Sequence, residues 1–258
     1  MTTKDLPTKK HIPEEIAQQA LLYKLGEPVK IYKTQSPLVS IAFILGSLLI
    51  TVAIFALAIF INSIATNFRI VYVVALAPLF VIIYAIRSLI TGGLRAYLYT
   101  EGFLHARGKR YDVVRWEQIE HVWYKRGKHS YGSALTVTLC LYDGKTLKLD
   151  DTIGFVHALL YSIQEHVSKR QVPKKLADFQ HKKVVTFGKI NVEERGVNNG
   201  QELVPWDQID KLDTTEDGLI VVIKHGRPLK WSPIKVQDTP DLLTLITLVD
   251  VIVKERNS

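Results

Sequence analysis

Between residues 105 and 130, Arg107, Lys109, Arg110, Arg115, Lys125, Arg126 and Lys128 stand against only Asp112, Glu117 and Glu120. Such a cluster attracts anions: phosphate headgroups, or carboxylates on a partner. Candidate contacts are Arg107, Lys109 and Arg110 in one stretch, and Lys125, Arg126 and Lys128 in another. Both stretches are expected in turns, where a solvated basic rim is the competing reading. Nothing else in the chain points to catalysis. None of the eight histidines pairs with another at HxxxH or HExxH spacing, so zinc on a helix face is not supported. His157 and Glu165 are eight residues apart, over two helical turns. No phosphate-binding glycine loop is present. The single cysteine, Cys140, alternates within a strand pattern and reads as a small core residue. No enzyme activity, metal or cofactor is expected, and no reading helix suggests nucleic acid.

The elements that carry these residues follow a repeat. Glu101-Gly102-Phe103 precedes Val114-Arg115-Trp116-Glu117-Gln118-Ile119-Glu120-His121-Val122. Arg195-Gly196-Val197 precedes Val204-Pro205-Trp206-Asp207-Gln208-Ile209-Asp210-Lys211-Leu212. A Trp-acid-Gln-Ile motif occurring twice marks a duplicated unit. The repeat anchors are Gly102, Trp116, Ile119, Gly196, Trp206 and Ile209. The tryptophans are expected to fix each sheet against a helix, and the glycines to supply turns with positive φ. Leu135–Leu141 alternates with period two before Asp143-Gly144, a hairpin signal, and Leu219–Ile223 before His225-Gly226 plays the same part. Val156, Leu159, Leu160, Ile163 and Val167 then line one helical face. Leu242, Leu245, Ile246, Val249 and Val253 line the other. Asp150-Asp151 is the expected cap of the first helix, and Asp238 or Thr239 that of the second. Residues 168–183 read either as a linker or as more helix.

Ahead of the repeat, no charged residue or histidine falls between Thr34 and Phe68. Residues 38–61 as a helix would reach roughly 36 Å at ~1.5 Å per residue, enough for a hydrocarbon core of ~30 Å. A second apolar run spans 70–90. Lysines before the first run and arginines after the second would hold both termini in the cytoplasm. Ala42 and Gly46 offer a close-packing pair, whether within the hairpin or between copies. Residues 1–37 contain a short helix with Ile16, Ala20 and Leu21 on its apolar side, a stop at Gly26, and an alternating strand at Val29–Lys33.

The strands "EGFLHARG" and "RWEQIEHVW", the later hairpin and the closing helix resemble the bacterial pleckstrin-homology-like (PH-like) domain. The whole order resembles a family of uncharacterised bacterial membrane proteins with a two-helix transmembrane hairpin and tandem PH-like domains. That resemblance implies an α+β fold: an N-terminal transmembrane α-helical hairpin, then two PH-like antiparallel β units, each closed by a C-terminal helix. It implies a binding fold at a membrane and carries over no functional residues. The expected layout is a cytoplasmic segment at 1–37, transmembrane helices at 38–61 and 70–90, repeat 1 at 94–170 and repeat 2 at 183–258. The expected protein is a multi-pass component of the cell membrane. It would serve as an interaction module touching anionic lipid headgroups of the bilayer. The alternative is a scaffold or signalling adaptor for an acidic protein partner.

Overall fold

The structure is a computed structural model. It describes residues 12–33, 94–107, 110–129, 132–150, 156–229, 231–232 and 234–257, with a few positions between 45 and 83. The expected fold class is corrected. The described residues form four antiparallel sheets with few helices, and no helix among them is long and apolar enough to cross a membrane. The expected spans at 38–61 and 70–90 lie almost wholly outside the described residues. An uncharged run is a fact of composition, whereas a span also needs about 20 predominantly apolar residues in continuous helix, which no described element supplies. The multi-pass membrane placement with cytoplasmic termini rested on those spans and is corrected with them.

The first unit begins before the apolar stretch. Strand β1 (Pro28–Lys33) pairs antiparallel with β2 (Leu94–Tyr99), then follow β3 (Gly102–Arg107) and β4 (Arg110–Arg115) in the order β1-β2-β3-β4. The alternation in residues 29–33 is thus a sheet strand, joined to its neighbour across sixty residues of sequence. A 3-10 turn, Trp116–Gln118, leads into a second sheet of β5 (Ile119–His129), β6 (Gly132–Leu141) and β7 (Thr146–Leu149). Helix α1 (Glu14–Leu22) covers the outer face of the first sheet. Ile16, Ala20 and Leu25 pack there against Tyr97, Tyr99, Leu104 and Ala106. Leu21, expected on that face, is 78% exposed, because it sits 100° around the helix from Ala20. Gly26 turns the chain with φ +79°.

The second unit repeats the plan. Strands β8 (Val184–Phe187), β9 (Ile190–Glu193), β10 (Gly196–Asn198) and β11 (Leu203–Pro205) form a four-stranded sheet. The turn Trp206–Gln208 follows, then β12 (Lys211–Thr214), β13 (Leu219–Lys224), β14 (Arg227–Pro228) and β15 (Ile234–Lys235). Both tryptophans stand at the crossing from one sheet to the next, followed by buried Ile119 and Ile209.

Helix α2 (Val156–Lys182) continues through residues 168–182 as one helix of 27 residues with Pro173 inside it. It serves both units. Val156, Leu159, Leu160, Ile163 and Val167 fill the first core, while Phe179 enters the second. Helix α3 (Leu242–Asn257) closes the second unit with Leu242, Leu245, Leu248, Val249, Ile252 and Val253 buried and Ile246 partly so.

Each tryptophan is tied to the turn before the repeat glycine. Trp116 Nε1 donates to the Thr100 carbonyl at 3.0 Å, and Trp206 Nε1 to the Glu193 and Glu194 carbonyls at 3.1 and 3.0 Å. Gly196 has the expected positive φ, at +159°, whereas Gly102 is not among the positive-φ residues, and both are also needed for space. A Cβ at Gly102 would overlap the Val114 carbonyl oxygen and lie 2.9 Å from both Arg115 Cα and Leu25 Cδ2. A Cβ at Gly196 would overlap the Val204 carbonyl oxygen in the same manner. Gly102→Ala is therefore expected to lower stability by about 1–3 kcal/mol, read as an earlier urea midpoint with unchanged slope. Gly144→Ala in the β6–β7 turn meets no atom within 4 Å, so only the cost of its φ of +81° would appear there.

Candidate functional site

In an antiparallel meander successive turns alternate between the two ends of the sheets. The β1–β2 and β3–β4 connections therefore open at one end of the first sheet. Arg107 and Arg110 flank the β3–β4 connection as register partners, and both are exposed. Lys33 and Arg95 are register partners at the β1–β2 connection. Leu94, adjacent to Arg95, pairs with Arg107, so these positions adjoin. Exposed Lys125 lies on β5 of the second sheet, in register with Thr136 of β6. The expectation that residues 125–128 form a turn is corrected. Lys125, Arg126 and Lys128 pair in register with Thr136, Leu135 and Ser133, and the strand continues to His129. Lys109 lies outside the described residues. Arg115 belongs to the opposite end, where its Nε stands 2.9 Å from Glu117.

One layer below the basic rim sits His105. It shares a sheet face with Phe103 and Ala96 of the core, through the register Ala96–His105–Asp112. Its ring is buried, neither nitrogen has a hydrogen-bond partner, and Asp112 Oδ2 stands 3.6 Å from Nδ1. Burial pushes its pKa down, and the nearby Asp112 opposes this only in part. A buried imidazole thus lies one layer below the exposed Arg107–Arg110 pair. The arrangement can bind an anion at the rim. It offers no nucleophile paired with a base.

The remaining histidines with shifted pKa are tied into the structure. His166 on α2 stacks on Trp116, with centroids 4.8 Å apart and planes within 3°. Burial lowers its pKa, and the neighbouring Arg170 adds to this. His121 Nδ1 donates to Asp241 Oδ2 at 2.7 Å, and this bond holds its pKa above the ordinary value. Cys140 is half-exposed rather than buried, and desolvation pushes its thiol up. Among the described residues no group of three or more His, Cys, Asp or Glu could hold a metal ion.

Two features of the junctions escaped the sequence. An arginine on each closing helix reaches back to the turn before the repeat glycine: Arg170 Nη2 to Glu101 Oε2 at 2.8 Å, and Arg256 Nη2 to the Glu194 carbonyl at 2.9 Å. Their positions in the helices differ, so no motif marks them. The second feature is Asp241. It begins α3, accepts the Leu245 N–H on its carbonyl at 3.0 Å, and has φ +52°. The expected caps, Asp238 or Thr239, fall in the preceding 3-10 turn. The side chain of Asp241 is spent on the other unit, accepting the Val122 N–H at 2.8 Å as well as His121. Residues 151–155, including half of the expected Asp150-Asp151 cap, lie outside the described residues.

A model of a family of unknown function (DUF6585) matches residues 2–258 of the chain. No curated protein and no solved structure matches it.

Proposed function

We propose that this chain, which belongs to the DUF6585 family of unknown function, is a non-enzymatic binding module whose basic end meets anionic lipid headgroups. The observation that carries the reading is that Arg107 and Arg110, exposed register partners at the β3–β4 connection, adjoin Arg95 near the start of β2. Leu94, the neighbour of Arg95, is the register partner of Arg107, so a single surface can touch all three. Each such cation near an anionic membrane surface contributes about 1 kcal/mol. A curved rim of side chains without a deep polar cavity suits a surface better than a small substrate. The reading concerns contact with headgroups and includes no spanning anchor.

The full chain is expected to bind vesicles containing phosphatidylserine more tightly than vesicles of phosphatidylcholine alone. Raising salt from 0.05 to 0.5 M should weaken the difference, since the Debye length shrinks. Replacing Arg95, Arg107 and Arg110 by Glu together should reduce binding to the anionic vesicles by about 100-fold, from three contacts of ~1 kcal/mol. Equal binding to both vesicle types, unchanged in the triple variant, would remove the reading.

A further inference from the structure

Along β4 of the first unit, a groove of about 590 Å³ opens between this strand and the β6–β7 hairpin. Each of the two strands β4 and β7 is the last strand of its sheet. The direction of the β4 backbone groups can be worked out. The Trp116 N–H bonds the Glu101 carbonyl at 3.1 Å, so this position is a hydrogen-bonded pair of the β3–β4 ladder. By alternation Val114 and Asp112 also face β3, while Tyr111, Val113 and Arg115 face outward. The Arg115 N–H is taken by Gln118 Oε1 at 3.0 Å. Tyr111 and Val113 remain as an open backbone edge on the wall of the groove. The opposite wall supplies Leu141 and Leu147, both packed against the core of the unit. Tyr23 and Tyr142 stand at the rim, and Tyr142 is 63% exposed.

The charge here is opposite to that of the basic end. Asp112 and Asp143 line the groove, and Glu15 accepts the Tyr111 hydroxyl at 2.7 Å. Against these three carboxylates the lining holds one ammonium, Lys145, itself paired with Asp143 at 2.9 Å. A local excess of negative charge on a chain of net +8 disfavours an anionic surface and favours a cationic partner.

The geometry points to an extended, basic peptide segment of a partner protein that adds to β4 as a further strand. Main-chain bonds to Tyr111 and Val113 would supply affinity, and alternate side chains would supply choice. One apolar side chain rests on Leu141 and Leu147, and flanking Lys or Arg residues meet Asp112 and Asp143. The second unit already shows that an edge of this sheet system accepts a strand-like visitor. Its Asp241 exchanges backbone and side-chain bonds with Val122 on the edge strand β5. The inference does not rest on the lipid reading, since it stands on the groove residues Tyr111, Asp112, Val113 and Asp143 and not on Arg107 or Arg110.

The test is selection of random dodecapeptides displayed on phage against the full chain. Enriched peptides should carry Lys or Arg beside an apolar-x-apolar run. Their binding should fall at least 10-fold for Val113→Pro and for the pair Asp112→Lys, Asp143→Lys, and they should slow hydrogen exchange at the Tyr111 and Val113 amides. Val113→Pro removes an N–H with no partner in the sheet, which edge strands tolerate. The lysine pair lies on exposed side chains and decides the matter even should the proline variant fold poorly. Failure to enrich any peptide over the lysine-pair variant overturns the inference. So does enrichment of peptides that protect neither amide, or whose binding is lost in Arg107→Glu, Arg110→Glu.

Discussion

Trp116→Ala is expected to cost about 3–5 kcal/mol, the range for deleting a large buried aromatic. The side chain is only 1% exposed and sits where three parts of the first unit meet. Phe103 of β3 stacks on one side at 5.6 Å, and His166 of α2 on the other at 4.8 Å. The indole N–H bonds the Thr100 carbonyl in the β2–β3 turn. Removal leaves a cavity between sheet and helix and strips that carbonyl of its donor. Trp116→Phe should recover part of the packing and none of the hydrogen bond, so its loss should fall between those of wild type and Ala. Chemical denaturation followed by far-UV circular dichroism measures both. Trp206→Ala should cost less. Trp206 is 8% exposed, and one of its neighbours is the exposed Arg256, whose guanidinium lies 5.4 Å from the ring. Losses of equal size would contradict this difference.

Asp241→Ala should separate the two units while leaving each core intact. The Asp241 side chain is 1% exposed and satisfies the Val122 N–H and His121 together. Its deletion leaves a buried backbone donor without a partner, at a cost of about 1–3 kcal/mol, and breaks the ion pair besides. Nearby, the Gln171 side chain donates to the Glu120 carbonyl at 3.0 Å and accepts from Thr244 at 3.3 Å. These bonds remain, so the variant should loosen the junction and not unfold the chain. Faster hydrogen exchange confined to β5 and the start of α3 would show this. Exchange unchanged at Val122 would refute it.

The same contact makes the junction depend on pH, with a definite sign. The His121 pKa is raised chiefly by the hydrogen bond to Asp241, with desolvation opposing and Glu120 and Lys175 acting in opposite senses. The native state therefore holds this proton more firmly than the unfolded chain. The associated stability is fully present below about pH 6.5 and is lost as pH rises through the higher native value. The stability gap between wild type and His121→Gln should shrink between pH 6 and 8. His105 acts oppositely. Its lowered pKa means that the native state resists protonation, so stability falls as pH drops below the unfolded value. A His105→Phe variant should flatten the acid side of the profile, and a His121→Gln variant the neutral side.

Much of the architecture was legible because it rests on short-range physics. The period-two alternation of Leu135–Leu141, the hairpin signal at Asp143-Gly144 and the apolar faces of the two helices each depend on neighbours within a few residues. Duplication of the Trp motif exposed the two-unit plan for the same reason: each copy solves one local problem, the crossing between sheets. The basic residues were equally visible, though not which of them adjoin. That required knowing the register of β2 and β4 on β3, and that Lys125–Lys128 continue a strand.

The sequence by itself determined the repeated Trp motif, the apolar faces of the two closing helices and the surplus of positive charge. Those follow from side-chain chemistry read along the chain. Tertiary structure alone decided why Gly102 and Gly196 lack side chains, which unit receives the Asp241 carboxyl, where α2 ends one core and enters the next, and which edge of β4 stays open. Each of those depends on the approach of groups distant in sequence, such as the Val114 carbonyl over Gly102 or Val122 against Asp241. The apolar runs at 38–61 and 70–90 lie almost wholly outside the described residues, among which no helix is long and apolar enough to cross a membrane.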